Sequence, residues 1–183
     1  MDRELERQLF HMGIGLWTIL FLFIFGRTAA IAAVFLVICA GTLAINARLR
    51  GARLPLISWF EERFERRDAP IPGWGSACYA AGTLIPLTFL SDAGGIAAVI
   101  FILGVGDGLA TIIGTRGRMR IPYSGRKTAE GSAAMFLSSL LAYAFAGEAA
   151  LPLAIAATVA ESLPLIDDNL SVPIACTAVL LVI

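Results

Sequence analysis

The chain carries 14 basic residues, of which Lys127 is the only lysine, so chemistry that needs an ammonium group has one candidate. Lys127 stands in the run T-R-G-R-M-R-I-P-Y-S-G-R-K-T-A-E-G-S over 115–132. Arg126 and Lys127 are followed by Thr128, an N-cap residue type, and then by an apolar stretch. That order predicts a helix start whose backbone N–H groups at 129–131 lie beside two cations, a combination that suits a polyphosphate. Arg116, Arg118 and Arg120 alternate, so an extended backbone would point all three the same way, toward phosphates or toward lipid headgroups. The run is not a Walker loop, because the required glycine spacing is missing before Lys127.

Carboxylates form the second group. Asp107 interrupts an apolar stretch in G-V-G-D-G (104–108), where an ionised side chain is costly and is retained for a cation, a proton or a water-filled cavity. Glu161, Asp167, Asp168 and Asn169 fall in E-S-L-P-L-I-D-D-N-L-S-V-P (161–173). Adjacent Asp residues before a helix also make a plain N-cap. Hard oxygen donors close to a phosphate loop suit Mg²⁺, which takes one or two carboxylates together with substrate phosphates. Metal candidates are therefore Asp107, Glu161, Asp167 and Asp168. His11, the one histidine, reads as an interfacial residue at the start of an apolar run, able to orient a phosphate or relay a proton if it takes part. There is no Ser-His-Asp set, no Cys-His pair and no metal-type His cluster, which argues against nucleophilic hydrolysis. Cys39, Cys78 and Cys176 read as small buried hydrophobes.

The elements that position these groups must sit in lipid. Hydrophobic residues make up 58% of the 183, charged residues 15%, and mean hydropathy is +0.81. A water-soluble domain carries roughly 25% charged residues. Zero net charge removes the overall basic surface that a nucleic-acid binder needs. A helix crossing the bilayer needs about 20 apolar residues. Stretches of that order run over 10–25, 28–46, 73–90, 94–114, 131–147, 149–165 and 171–183, the last short for a crossing. The expected fold is all-α, a polytopic transmembrane bundle of about seven spans forming one domain over 1–183. Arg residues cluster before the first span and in loops near 47–72 and 115–130, which with 166–170 would face the cytoplasm, as would the N-terminus. Ile57, Phe60 and Phe64 share one helical face while Glu61, Glu62, Arg63, Arg66 and Arg67 occupy the rest, the pattern of an interfacial helix or a solvated connector.

Cations, carboxylates and a helix start at the cytoplasmic edge form the inventory that phosphoryl transfer requires. GDGLATIIG (106–114), S-G-R-K-T-A-E-G-S (124–132) and E-S-L-P-L-I-D-D-N-L-S-V-P (161–173) together resemble the CTP-dependent lipid kinases, which include dolichol, phytol and farnesol kinases and the yeast-type diacylglycerol kinase. E-R-Q-L-F-H-M-G-I-G and I-P-G-W-G-S-A-C-Y-A-A-G are similar to weaker family blocks. The resemblance implies CTP as phosphate donor and a membrane alcohol as acceptor. It also implies a CTP and Mg²⁺ site of Asp107, Lys127, Thr128, Glu130, Gly131 and Ser132, completed by Asp167, Asp168 and Asn169. Gln8 departs from the family, which often has Lys there, and Arg126 replaces a second Lys. Phosphatidate cytidylyltransferases share a similar K-T-x-E-G block, but their acidic signature includes an Arg, and no Arg follows residue 126. A small transporter or membrane scaffold would also explain intramembrane carboxylates, and CTP binding separates it from the enzymes.

Overall fold

The computed structural model describes residues 3–65, 70–125, 127–164 and 166–183. Among them every regular element is helical; one isolated antiparallel bridge joins Arg120 to Thr128. The order is α1 (Arg3–Leu49), α2 (Pro55–Phe64), α3 (Trp74–Phe89), α4 (Ala93–Phe101), a π-helical segment (Ile102–Gly106), α5 (Asp107–Gly114), α6 (Ala129–Ser139), α7 (Tyr143–Ala146), α8 (Ala150–Ser162) and α9 (Asp168–Val182). Short 3₁₀ turns, Leu140–Ala142 and Gly147–Ala149, flank α7.

Among the described residues three stretches are long and apolar enough to cross a membrane: Arg3–Leu49, Ala93–Gly114 and Ala129–Ser162. This is a membrane protein. Three is fewer than the seven stretches read from the sequence, and chain reversals account for much of the difference. The 47 residues of α1 are broken at Gly26, which has φ 80 and ψ 170, a conformation open to glycine. Straight, the helix would hold Glu6 and Arg48 about 63 Å apart. Instead Arg63 of α2 bonds Glu6 at 2.7 Å, and Glu61, two residues earlier, pairs with Arg48. The arms over 3–25 and 27–49 therefore run antiparallel. Ala129–Ser162 likewise turns back at Gly147 (φ 55), since Ser132 Oγ donates to Glu161 Oε2 at 3.0 Å. The helices α3 and α9, at 16 and 15 residues, are shorter than a full crossing.

The most apolar helix lies at the centre. Residues Gly95 to Ile100 of α4 are all buried, and Leu87, Met135, Leu153, Val172 and Cys176 come in from α3, α6, α8 and α9. An all-round apolar helix has no polar face to offer and takes the interior position. By contrast α1 is peripheral, with Trp17, Phe23, Phe25 and Leu36 each more than half exposed, as a lipid-facing surface requires. Arg27 locks the far end: its Nε and Nη2 donate at 2.7 Å to the carbonyls of Leu87 and Thr88 at the close of α3. Asp92 opens α4 as N-cap, accepting from Gly95 N at 2.6 Å.

The expected interfacial helix is α2, within which Phe60 and Phe64 pack on Phe10 of α1 with ring centroids 5.3 and 4.4 Å apart, while Leu56 and Trp59 stay exposed. Arg66 and Arg67 lie outside the described residues. A Cβ on Gly82 would overlap the Asn169 carbonyl, so the first turn of α9 abuts the middle of α3, about 12 Å below that helix's own start.

Candidate functional site

Lys127 organises the site. Its Nζ donates to Glu161 Oε1 at 2.8 Å and to Asp168 Oδ2 at 2.5 Å, joining the loop before α6 to the end of α8 and the start of α9. Glu161 is 3% exposed, and Ser132 Oγ holds its second oxygen. A buried carboxylate persists where it is paired and hydrogen-bonded, and here the ammonium that pairs Glu161 also serves Asp168. Burial alone would lower the Lys127 pKa; Asp168, then Glu161 and Asp107, outweigh it and hold the group above its ordinary value. Asp107 is buried at the start of α5, close enough to act electrostatically on both Lys127 and Tyr79 of α3.

The residues that follow Lys127 in K-T-A-E-G-S hold the loop and the start of α6. Thr128 is the N-cap of α6, accepting from Gly131 N at 3.2 Å and donating to the Gly114 carbonyl at 3.1 Å. Glu130 pins the loop, its carboxylate accepting from the N–H of Arg118 at 2.8 Å and of Met119 at 3.2 Å. Gly131 lets α6 cross α5, since a Cβ there would stand 3.0 Å from both Ala110 O and Gly114 Cα. Glu130 and Gly131 thus shape the loop and the helix crossing beside Lys127.

Two expectations need correction. Of the N–H groups at 129–131 expected to be open at the α6 start, two are engaged: Ala129 N donates to Met119 O at 2.8 Å and Gly131 N to Thr128. Nor do Arg116, Arg118 and Arg120 form one row, because the chain is still turning at Arg116, whose Nη1 reaches back to the Ile112 carbonyl at 2.9 Å. Arg120 Nη1 holds Gly125 O at 3.2 Å, and Arg118 and Arg120 remain exposed beside the site. Arg126 lies outside the described residues.

Asp167 is the N-cap of α9, its Oδ1 accepting from Asn169 N at 3.0 Å and from Asn169 Nδ2 at 2.9 Å. Asn169 is itself buried, and its Oδ1 has no hydrogen-bond partner. Among the described residues no group of three or more His, Cys, Asp or Glu converges as a ready-made metal cage. Two carboxylates, Glu161 and Asp168, bind the one ammonium with Asp107 within its electrostatic reach, hard oxygen donors of the type Mg²⁺ takes together with substrate phosphates.

Several neighbours were not singled out in the sequence. Tyr79 OH donates to the His11 carbonyl at 2.9 Å, and the two rings lie 4.8 Å apart. His11 is buried, as are Arg7 and Gln8 beside it. Arg7 pairs with Glu4, and Gln8 Nε2 donates to the same carboxylate at 2.9 Å. The π-helical segment before Asp107 brings Gly104 Cα within 3.4 Å of where a Cβ on Gly15 would stand, the close approach of α1 to the centre. A lone Tyr in an apolar stretch gives no spacing signal; its partners come from a different helix.

No family model matches the chain, and no solved structure matches it significantly. Among curated proteins it is 31% identical over 175 residues to "Uncharacterized protein MJ1137" of Methanocaldococcus jannaschii, covering 93% of this chain and 89% of that protein. It is 36% identical over 115 residues to a probable chloroplastic phytol kinase of Triticum aestivum, covering 50% of this chain and 38% of the relative. A probable chloroplastic phytol kinase 1 of Glycine max is 38% identical over 95 residues, 40% of this chain and 32% of the relative. The match therefore spans about a third of each plant protein.

Proposed function

The chain belongs to the family of the Methanocaldococcus jannaschii protein MJ1137, and from that premise we propose that it is a membrane kinase that transfers the γ-phosphate of CTP to the hydroxyl of an isoprenoid-type lipid alcohol. The observation that carries this reading is the Lys127 ammonium bound at once to Glu161 and Asp168, with Asp107 close by. Phosphoryl transfer asks a protein mainly for positioned charge, and this cluster supplies both signs. The partial likeness to phytol kinases supports the acceptor class.

In this reading CTP lies over the 115–132 loop, with Arg118 and Arg120 exposed toward its phosphates and Lys127 beneath. The alcohol oxygen attacks the γ-phosphorus, the bond to the β–γ bridging oxygen breaks, and CDP leaves with that bond's electrons. Asp107 takes the hydroxyl proton. Glu161 and Asp168 hold Lys127 in place and are the side chains that would hold Mg²⁺. Bound Mg²⁺ would neutralise charge on the phosphates. The loops near 47–72, 115–130 and 166–170 and the N-terminus face the cytoplasm in this proposal, where CTP is soluble.

Detergent-purified protein with Mg²⁺, each of the four nucleoside triphosphates in turn and a panel of single-chain alcohols tests the reading. A lipid monophosphate formed preferentially with CTP is expected; no lipid phosphate with any pairing would overturn it.

A further inference from the structure

Between the arms of α1 and the facing side of α3 runs an apolar groove of about 370 Å³, lined by Ile14, Thr18, Phe21, Ala33, Val34 and Ala80 among others. Its lining continues at one end to His11 and Tyr79, the latter within electrostatic reach of Asp107, and Phe60 of α2 also borders it. At the other end the arms approach their turn at Gly26. Trp17 and Val37 on its rim are 66% and 64% exposed, on the face of α1 that is turned to lipid.

We propose that this groove holds the single apolar tail of the acceptor alcohol, with the hydroxyl end against His11 and Tyr79 on the way to Asp107. The inference rests on the kinase reading and adds to it the place and shape of the acceptor. The volume lies near the lower bound of small-molecule sites, which suits one chain better than two acyl chains. From Phe10 to Phe21 the first arm advances about 16 Å, and at about 1.2 Å per bond of extended chain this accommodates roughly three five-carbon units. A longer tail leaves by the lipid-facing rim. In a bilayer a tail gains little by exchanging lipid for protein, so selection here depends on shape. Branched methyl groups meeting Ala30, Ala33 and Ala80 on opposite walls provide it.

The test uses the whole 183-residue chain in detergent and a photoreactive C15 isoprenoid alcohol whose cross-links are mapped. Cross-links within 10–37 and 76–83, displaced by unlabelled C15 or C20 alcohol and at least tenfold less effectively by diacylglycerol, are expected. Ala33→Trp and, separately, Thr18→Phe should raise KM for C15 alcohol at least tenfold with KM for CTP unchanged, the latter showing that each variant is folded. Cross-links elsewhere, equal displacement by diacylglycerol, or an unchanged alcohol KM in folded variants would overturn the assignment. Labelling does not require turnover. Wild-type protein that labels specifically in the groove yet phosphorylates nothing retires the kinase reading and leaves the lipid site. Protein that phosphorylates alcohols but labels elsewhere retires the groove alone.

Discussion

Lys127 Nζ and Asp168 Oδ2 lie 2.5 Å apart although 41 residues separate them, and Glu161 accepts from the same ammonium at 2.8 Å. Removing the ammonium leaves two carboxylates facing each other, one of them buried. Lys127→Met should cost about 2–3 kcal/mol, less than the 3–5 kcal/mol of a fully buried pair because Lys127 is one-quarter exposed. Turnover should fall by about 10²–10³, the scale of losing one preorganised electrostatic contact. Denaturation in detergent and initial rates check both numbers; Lys127→Arg should recover stability better than rate, since a planar fork cannot reproduce the ammonium's position.

The same cluster sets a pH dependence. Its carboxylates hold the Lys127 pKa above the ordinary 10.5, so the folded state binds the lysine proton more tightly than the unfolded state. The stability gained is fully present below pH 10.5 and is lost as pH rises through the higher folded value. Wild type and Lys127→Met should therefore differ in stability by a constant amount from pH 7 to about 10, the gap closing only in stronger alkali. A gap that closes between pH 7 and 9 would show that the carboxylates do not hold the proton.

Asp107→Asn changes one buried atom and keeps the side-chain shape. If Asp107 receives the hydroxyl proton, turnover should drop by about 10²–10⁴ while nucleotide affinity and melting temperature change little. Steady-state kinetics beside a thermal melt checks this, and a rate within a factor of three of wild type would remove Asp107 from the chemistry.

Backbone proximity carries the acidic end of the site. Because a Cβ at position 82 would overlap the Asn169 carbonyl, Gly82→Ala must push the first turn of α9 away from α3 and carry Asp168 with it. A stability loss of about 1–3 kcal/mol is expected from the overpacking, together with a lower kcat. Gly41→Ala, where nothing lies within 4 Å, serves as the control with neither effect.

The charged part of the site was legible in the sequence because its signals are local and costly. A lone lysine before an N-cap, an Asp inside G-V-G-D-G and a Glu near the end of an apolar run each stand out against lipid. Their assembly was not legible, since Lys127, Glu161 and Asp168 lie in three separate segments and only the reversal at Gly147 brings the first two together. That the Glu130 carboxylate fastens two backbone N–H groups was not legible, because that partnership has no sequence signature. Helix extent was read well from hydropathy over 94–114, matching Ala93–Gly114. Over 171–183 the stretch read as short for a crossing is α9, Asp168–Val182, which begins three residues earlier than hydropathy indicates because Asp167 caps it. Tyr79 and the groove beside it arise from packing between α1 and α3, which periodicity within one helix does not record.

Phosphoryl transfer to a lipid is the central claim, and the fate of two labels tests it most directly. Purified protein is given Mg²⁺, a single-chain isoprenoid alcohol and phosphatidate, with CTP labelled at either the γ- or the α-phosphate. Label moving from the γ position into the alcohol, with CDP released, is the predicted result. Label moving from the α position into phosphatidate, with pyrophosphate released, would contradict it and make the Lys127 cluster the site of a cytidylyltransferase.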